Sequence, residues 1–198
     1  IRPALQVIGV KKDFNHIAGM YIMITKKGPV FISDTTVNMN PSAQTLFDTT
    51  VLTANAVRSF NIEPRIALLS YSNFGAFKGQ GSPGNVRKAV KMLHEKYPEM
   101  IVDGEMQANY ALNGVLRNKH FPFSKLKDHD ANTLIMPNLS SGNITYKVLQ
   151  TIGTAEAIGP VLMGMNKPVH ILQRDSTVRE IINMTAIAVV DAQSVTET

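Results

Sequence analysis

The segment RIALLS, at residues 65–70, decides the fold because it is a short, continuous apolar run between Pro64 and a Gly- and Ser-rich loop. Such a run is typical of a β-strand that is buried on both faces. Further strand-like runs occur at residues 17–25, 30–33, 101–104, 133–136, 157–163 and 169–172. Apolar residues at helical spacing predict helices at residues 42–60, 85–97, 106–116, 140–150 and 178–192. This alternation predicts an α/β fold with a largely parallel sheet.

The composition is that of a folded protein with a small charged surface. Hydrophobic residues make up 44 % of the 198 residues, which excludes intrinsic disorder. Charged residues make up only 18 %, against a usual share of ~25 %, so we expect another chain or domain to cover part of the surface. The formal net charge of +5 suits anionic ligands such as phosphates but does not predict nucleic acid binding. No apolar run approaches the ~20 residues of a membrane helix, and we expect a cytoplasmic protein with no membrane partner.

Several common kinds of active site are excluded by residue type or spacing. Cysteine is absent, which removes disulfides, thiolate metal sites and a cysteine nucleophile. The five histidines show no metal-ligand spacing, so we expect no metal in this chain. Residues 79–84 (GQGSPG) match the letters G-x-G-x-x-G, but a dinucleotide loop needs its first glycine directly after a strand. Gly79 follows Ser70 by nine residues, so we predict a loop without a cofactor here.

Three predicted strand-to-helix junctions contain the candidate site, because α/β proteins bind ligands at the carboxyl ends of their strands. In the DGEMQ segment, Asp103 and Glu105 either contact a ligand or stabilise the entry of a helix. In the NLSSGNITY segment (138–146), hydroxyl and backbone N–H groups around Ser141 and Asn143 form either an anion site or an ordinary helix cap.

The third junction contains an arginine. Arg174 follows the predicted strand at residues 169–172 and precedes the last helix. It either clamps a phosphate and stabilises developing negative charge, or it pairs with Asp175 or Glu180. We expect the three junctions to converge on one edge of the sheet.

Seven segments contain a family resemblance: RPALQVIG (2–9), PRIALLSYSNFG (64–75), DGEMQ (103–107), PNLSSGNITYKVLQ (137–150), AEAIGP (155–160), KPVHILQR (167–174) and VREIINMTAIAVVDAQ (178–193). Through them nearly the whole chain resembles the phosphate acetyltransferase and phosphate butyryltransferase family. DGEMQ, LMGMNKPVH and NMTAIAVVDAQ are most similar to one branch, the phosphotransacetylase-like C-terminal domain of bacterial NADP-dependent malic enzymes.

The resemblance implies a two-part α/β fold with a cleft, similar to isocitrate and isopropylmalate dehydrogenases. It implies that residues 1–198 are a fragment that lacks the N-terminal portion of such a domain, with residues 1–65 and 155–198 assignable to different halves of the fold. It also implies a homodimer or a higher homo-oligomer. Apolar residues surround the predicted helix at residues 178–192, which is typical of a helix buried at an interface.

The resemblance also implies a set of reaction residues, which this chain keeps only in part. Enzymes of the family transfer an acetyl group between CoA and phosphate with a Ser-Arg pair, an Asp six residues beyond the Arg, and a further Arg near the end of a helix. Arg174 matches this pattern, whereas Gln173, Glu180 and Thr151 occupy the Ser, Asp and helix Arg positions. Because a misplaced base or a lost oxyanion donor costs about 100-fold or more in rate, we expect acetyl transfer to be absent or vestigial.

The leading functional hypothesis is an acetyl-CoA-binding regulatory and dimerisation module of a malic enzyme. The oxidoreductase activity, which decarboxylates malate with NADP and a divalent metal, would belong to N-terminal malic enzyme domains of the same chain. The first alternative is an active phosphate acetyltransferase that converts acetyl-CoA and phosphate to acetyl phosphate and CoA. The second is a dimerisation module without a ligand. The residues expected to contact acetyl-CoA are Arg174, Asn143, Ser141, Lys147, Lys167 and Glu105.

Overall fold

The computed structural model describes residues 2–78, 81–153, 155–174 and 176–196. Within them the strands are β1 (Ala18–Thr25), β2 (Gly28–Ser33), β3 (Ile66–Leu69), β4 (Val102–Met106), β5 (Thr133–Ile135) and β6 (Glu156–Met163). The helices are α1 (Arg2–Ile8), α2 (Ala43–Ser59), α3 (Ser82–Lys96), α4 (Ala108–Ala111), α5 (Gly114–His120), α6 (Leu139–Thr151) and α7 (Val178–Thr196).

The strands form one sheet in the order β4-β3-β5-β2-β1-β6. β3 pairs with β4 and β5 in parallel, and β2 pairs with β5 in parallel. β1 is antiparallel to both of its neighbours, β2 and β6. β1 is therefore the one described strand with reversed direction, and the prediction of a largely parallel α/β sheet is confirmed. Residues from the segments 1–65 and 155–198 lie side by side in this sheet, because β1 pairs with β6.

The reversal of β1 follows from the short connection to β2. Lys26 and Lys27 separate the two strands, and a turn of this length can join only antiparallel neighbours, since a parallel pair needs a crossover of about a dozen residues. The hydroxyl of Thr25 donates to the carbonyl of Gly28 over 2.7 Å and accepts from the N–H of Lys27 over 3.1 Å. Gly28 has φ +111°, a conformation that favours glycine.

Helices cover both faces of the sheet. On one face, α2 and α3 pack over the centre of the sheet through apolar side chains that include Leu46, Val51, Val90 and Leu93. α7 packs on the same face against β6 and α2. On the other face, Tyr146 of α6 packs against side chains of β1 and β2. No helix among the described residues is long and apolar enough to span a membrane.

The predicted strand at residues 169–172 is wrong, because this segment has no strand in the structure. It runs beside the outer edge of β6, where the N–H of Leu162 donates to Nδ1 of His170 over 3.3 Å. A side chain therefore takes the place of a backbone partner, and Pro168 has no N–H to contribute to a ladder.

The predicted helix at residues 106–116 is also wrong in its bounds. β4 continues through Met106, and two short helices follow it, α4 and α5. Asn113 separates them, because its side chain accepts a hydrogen bond from the N–H of Leu116 over 2.9 Å and so begins a new helix. α3 begins three residues earlier than predicted, with Pro83 in its first turn. Gly79 and Gln80, the first residues of the G-x-G-x-x-G match, lie outside the described residues.

A buried arginine fixes the segment that contains α4 and α5. Arg117 is fully buried and donates to the backbone carbonyls of Tyr110, Ala111, Lys127 and His129, among others. Burial lowers the pKa of Arg117, and the nearby carboxylate of Asp103 acts in the opposite direction. A fixed cation at the centre of the segment satisfies carbonyl groups that would otherwise be buried without a donor.

Candidate functional site

One side of the sheet contains the carboxyl ends of five strands, β2, β3, β4, β5 and β6, and is here called the carboxyl edge. An aspartate at this edge fixes the conformation of the loop after β2. Asp34 follows β2 directly and is only 5 % exposed. Its Oδ1 accepts hydrogen bonds from the N–H groups of Gly19 (3.0 Å), Thr36 (2.8 Å) and Val37 (3.2 Å). Its Oδ2 accepts from the backbone N–H (2.8 Å) and the side-chain amide (2.6 Å) of Asn38. The carboxylate thus holds the loop after β2 in one conformation.

The N-terminus of α6 packs against this loop. A Cβ at Gly142 would lie 2.2 Å from the carbonyl oxygen of Asp34, so only glycine permits the contact. Asn138 caps the helix by accepting the N–H of Ser141 over 2.9 Å, and the hydroxyl of Ser141 donates to the carbonyl of Asn138 over 2.9 Å. The hydroxyl of Ser141 therefore takes part in the cap. Asn143 is half-buried, and no described residue hydrogen-bonds its amide.

An aromatic pair connects α6 to the segment that precedes α7. The rings of Tyr21 and Tyr146 stack with centroids 3.8 Å apart, and Nε2 of Gln173 donates to Oη of Tyr21 over 3.3 Å. Burial raises the pKa of Tyr21, and the neighbouring Tyr146 raises it further. Lys147 is exposed, with its Nζ 5.2 Å from the Tyr146 ring centroid. The structure therefore brings Gln173 to the face of the sheet that α6 covers.

The carboxylate of Glu180 is used by the helix that contains it. Its Oε2 accepts hydrogen bonds from the backbone N–H (2.6 Å) and the hydroxyl (3.0 Å) of Thr177, and the Glu180 N–H donates back to that hydroxyl over 3.2 Å. This is a capping box at the start of α7. Arg174 is exposed, and no described residue pairs with it, so the expected alternative of an Arg174–Glu180 ion pair is not formed. Asp175, the other expected partner, lies outside the described residues.

The structure contradicts the expectation that Glu105 contacts a ligand at a helix entry. Glu105 is a fully buried residue inside β4. Its Oε1 accepts from the hydroxyl of Ser72 over 3.1 Å and from the N–H of Gly75 over 3.0 Å, and Nη1 of Arg87 lies 3.7 Å away. Glu105 therefore anchors the loop that follows β3. Asp103 has a structural role too, because it accepts the N–H of Lys125 over 2.8 Å.

The three junctions do not converge on one pocket. β4 and β5 end at the same carboxyl edge, but no strand precedes Gln173. Gln173 contacts Tyr21 of β1, which is four strand positions from β4 in the sheet order. At ~4.8 Å per strand this separates Glu105 from Gln173 by about 19 Å along the sheet. The candidate site therefore contains α6 and the residues before α7, without Glu105.

Two further residues from the sequence prediction, Thr151 and Lys167, lie on different faces of the sheet. Thr151 is the exposed last residue of α6. Lys167 is exposed at the rim of a cavity between α2, β6 and α7, on the opposite face of the sheet from Tyr146. The six residues that separate Lys167 from Arg174 pass around the edge strand β6. Lys167 and Arg174 therefore lie on opposite sides of the sheet edge, and a single ligand that contacts both must extend around β6.

Sequence reasoning missed the two features that shape this site. The loop after β2 has the sequence SDTTVN, and an Asp followed by Thr and Asn is a signal for an Asx-type turn. The Tyr21–Tyr146 stack has no comparable local signal, because its two residues are 125 positions apart and meet only through the packing of α6 on β1.

Comparison with known proteins shows the family and the fold to which this geometry belongs. The family described as "Phosphate acetyl/butaryl transferase" matches residues 1–189. This chain belongs to that family. Two solved structures share its fold with a TM-score of 0.89 and 34 % identity: the EutD phosphotransacetylase from Staphylococcus aureus, with 96 % of this chain and 58 % of that chain covered, and a phosphotransacetylase from Streptococcus pyogenes, with 100 % and 59 % covered. The predicted phosphotransacetylase fold is confirmed.

The similar sequences include two kinds of protein. The NADP-dependent malic enzyme of Escherichia coli strain K12 is 44 % identical over 186 residues, which are 92 % of this chain and 24 % of that protein. The phosphate acetyltransferase of Bacillus subtilis strain 168 is 37 % identical over 192 residues, which are 97 % of this chain and 59 % of that protein. This chain thus spans about a quarter of such malic enzymes and about three fifths of such acetyltransferases.

Proposed function

We propose that this chain is an acetyl-CoA-binding regulatory and dimerisation module of a malic enzyme. The observation that supports this most is the use of Glu180 to cap α7 while Arg174 stays exposed without a described partner. The family resemblance assigns the proton-accepting role to the position of Glu180 and the oxyanion-binding role to Arg174. In this chain the first group serves its own helix, and the second is exposed and has no ion-pair partner among the described residues.

The remaining family positions argue against rapid acyl transfer. Gln173 replaces the hydroxyl donor with an amide that donates to Tyr21 over 3.3 Å. Thr151 has no charge with which to hold phosphate. Each lost donor at an oxyanion costs ~100–1000-fold in rate, so the combination leaves a site that binds an acyl thioester without turning it over.

The surroundings of Arg174 suit the chemistry of acetyl-CoA. CoA has several phosphate charges. Lys147 is an exposed cation beside the Tyr21–Tyr146 stack, and Arg174 is an exposed cation next in sequence to Gln173, which donates to Tyr21. The amide of Asn143 on α6 can donate to the thioester carbonyl. A helix N-terminus with free N–H groups also favours an anion, although at α6 the cap uses the hydroxyl of Ser141.

The malic enzyme reaction itself would take place outside this chain. Oxidative decarboxylation of malate needs NADP and a divalent metal, and the described residues contain no group of three or more His, Asp or Glu that could hold a metal ion. Acetyl-CoA is a reasonable feedback ligand, because pyruvate, the product of malate decarboxylation, leads to it.

Dimerisation would involve the outer face of α7. Val178, Ile182 and Val189 lie on one side of this helix at 74 %, 62 % and 50 % exposure. Met184, on the opposite side, is buried against β6 and α2. Exposed apolar side chains in such a row favour an interface with a second copy.

An active phosphate acetyltransferase is the second candidate. Arg174 is kept, and proteins with that name are 34 % to 37 % identical to this chain over nearly its whole length. This candidate requires that Glu180 release its cap when substrate binds.

Two measurements on the full chain separate the candidates. Isothermal titration should detect acetyl-CoA binding, and Arg174→Ala should weaken it at least tenfold, while the matched control Arg58→Ala, an exposed arginine at the end of α2, should not. Phosphate-dependent release of CoA should be at least 100-fold slower than in an ordinary phosphate acetyltransferase. Turnover within tenfold of such an enzyme would establish the second candidate. Absence of acetyl-CoA binding, or an Arg174→Ala variant that binds as tightly as the parent while folded, would refute the first.

A further inference from the structure

A second cluster of polar side chains lies at the carboxyl edge, on the face of the sheet that α2 covers. Its members come from the start of α2 and from the segment just before β1: Ser42, Thr45, Asp48 and His16. The side-chain amide of Asn38 donates to the carbonyl of Ile17 over 2.9 Å and so holds the start of β1 against the loop after β2. The cluster therefore joins two elements that are distant in sequence and meet only in the folded chain.

A carboxylate orients the imidazole of this cluster. Oδ2 of Asp48 lies 2.9 Å from Nδ1 of His16, and Nε2 of Gln44 donates to Oδ1 of Asp48 over 2.9 Å. Asp48 is only 5 % exposed, so its carboxylate has a fixed position. Because a carboxylate only accepts hydrogen bonds, Nδ1 of the neutral His16 ring holds the proton, and Nε2 is an acceptor.

Two hydroxyl groups connect this imidazole to the surface. Oγ1 of Thr45 lies 3.3 Å from Nε2 of His16 and 2.9 Å from Oγ of Ser42. Since Nε2 accepts, the Thr45 hydroxyl donates to it, and the Ser42 hydroxyl donates to Thr45. Thr45 is buried, whereas Ser42 is exposed. The hydrogen bonds therefore run in one direction, from an exposed serine through a buried threonine to an oriented histidine, and this chain of bonds is here called the relay.

The backbone around Ser42 favours negative charge. Ser42 is the N-cap of α2, and its Oγ accepts the N–H of Thr45 over 3.1 Å. This bond and the positive end of the helix dipole both stabilise a negative charge at Oγ. The N–H groups of Ala43 and Gln44, in the first turn, have no acceptor within the helix. The N–H that follows a nucleophilic serine is a usual donor to the oxyanion of an acyl intermediate.

We propose that Ser42 is the nucleophile of a second site, which accepts acyl groups from activated carboxylic esters. Its Oγ attacks the acyl carbon, its proton passes to Thr45, and the Thr45 proton passes to Nε2 of His16. Asp48 stabilises the imidazolium that forms. When the tetrahedral intermediate collapses, the bond to the leaving oxygen breaks, and the leaving group takes up the proton that Ser42 released. Water then attacks the acyl carbon, and Ser42 regains its proton as the carboxylic acid leaves.

This site is separate from the proposed acetyl-CoA site. Tyr146 and α6 cover one face of the sheet, and α2 covers the other. Acylation of Ser42 and binding of acetyl-CoA can therefore be measured independently, and the loss of one leaves the other proposal intact.

The test uses p-nitrophenyl acetate as the probe on the full chain. After an acid quench, mass spectrometry of proteolytic peptides should find one acetyl group on Ser42, formed together with a burst of p-nitrophenolate. Ser59 is the internal control, because it is an exposed serine at the other end of α2 whose hydroxyl donates to the carbonyl of Ala56. It should stay unmodified. A fluorophosphonate, which forms a stable bond to activated serines, should likewise label Ser42 and not Ser59.

Variants test the relay. Thr45→Val removes the hydroxyl at nearly constant size and should slow the labelling of Ser42 by at least ~100-fold, which is the usual contribution of a general base. His16→Gln should slow it by a similar factor. Thr45→Ser restores the hydroxyl and should return the rate close to that of the parent chain. The matched control Ser59→Ala should leave the rate unchanged.

Three results would overturn the proposal: no acetyl or fluorophosphonate label on Ser42, labelling of Ser42 no faster than that of Ser59, or a rate that Thr45→Val leaves unchanged. The comparison of Ser42 with Ser59 on the unmodified chain decides the question even if a variant fails to fold.

Discussion

Substitution of Asp34 by asparagine should disorganise the carboxyl edge of the sheet. In the native chain the carboxylate accepts five hydrogen bonds, three at Oδ1 and two at Oδ2. Asparagine keeps one acceptor oxygen and places an NH₂ group at the other position. That group would face the backbone N–H and the side-chain amide of Asn38, so donors would meet donors.

The expected cost follows from this count. Two bonds to the charged oxygen are lost at ~1.5–3 kcal/mol each, and the remaining three lose their charge assistance. Partial relaxation of the loop recovers some of this, so Asp34→Asn should lower the free energy of unfolding by about 3–5 kcal/mol. Since the carbonyl of Asp34 contacts Gly142, the start of α6 should shift as well, and acetyl-CoA affinity should fall with stability.

Urea unfolding followed by far-ultraviolet circular dichroism measures the effect, with an unchanged slope against denaturant as evidence of the same transition. The control is Asp13→Asn, an exposed carboxylate without a hydrogen bond to any described residue, which should leave the unfolding curve unchanged. A loss below about 1 kcal/mol for Asp34→Asn would show that the five short distances do not stabilise the fold and would refute the reasoning.

Three further outcomes are expected. Burial raises the pKa of Tyr21 above its ordinary value of ~10, so the free energy of unfolding should decrease as pH rises beyond about 10, where this tyrosine ionises in the unfolded chain. Urea unfolding between about pH 8 and pH 11 should show a smaller decrease for Tyr21→Phe than for the parent chain, and an equal decrease would contradict the assignment. Glu180→Ala should remove the capping box with Thr177 and lower the free energy of unfolding by ~0.5–2 kcal/mol, without changing phosphate-dependent CoA release; a large loss of that activity would make Glu180 a working base. Sedimentation at micromolar concentration should show a dimer that Ile182→Glu converts to a monomer, and a monomeric parent chain would contradict the interface.

Continuous apolar runs and helix caps could be predicted from the sequence because they are local. The run at residues 65–70 became β3, and a helix cap forms in the segment 138–146, where Asn138 is the capping residue. The run at residues 169–172 looks equally apolar, yet it forms no strand. Whether an extended segment joins a sheet depends on the strand edge that it meets, and at β6 a histidine ring occupies the position of a backbone acceptor.

The misplacement of Glu105 has a comparable cause. A glycine between two acidic residues after an apolar run is typical of a strand end, so the sequence predicts that the strand ends at Gly104. In the structure a Cβ at Gly104 would lie 2.6 Å from the carbonyl oxygen of Leu68, so the glycine permits close packing of β4 against β3. The strand therefore continues, and the carboxylate of Glu105 turns into the buried loop after β3. Only the neighbouring strand distinguishes these two roles of a glycine.

The separation of Lys167 from Arg174 provides a direct test of the site assignment. Sequence proximity favours a single ligand that contacts both cations. The structure places Gln173 beside Tyr21 and Tyr146 on the α6 face, and Lys167 at the cavity on the α7 face. Lys167→Gln should therefore leave acetyl-CoA affinity within twofold of the parent, whereas Arg174→Ala weakens it.

The double variant should show additive effects on acetyl-CoA binding, because two residues without a shared partner do not couple. The measurement is a double-mutant cycle by isothermal titration, repeated at low and at high salt. Low salt would reveal any long-range attraction between Lys167 and the CoA phosphates, and high salt screens it. A loss of tenfold or more for Lys167→Gln at high salt would mean that acetyl-CoA passes around β6 and contacts both faces of the sheet.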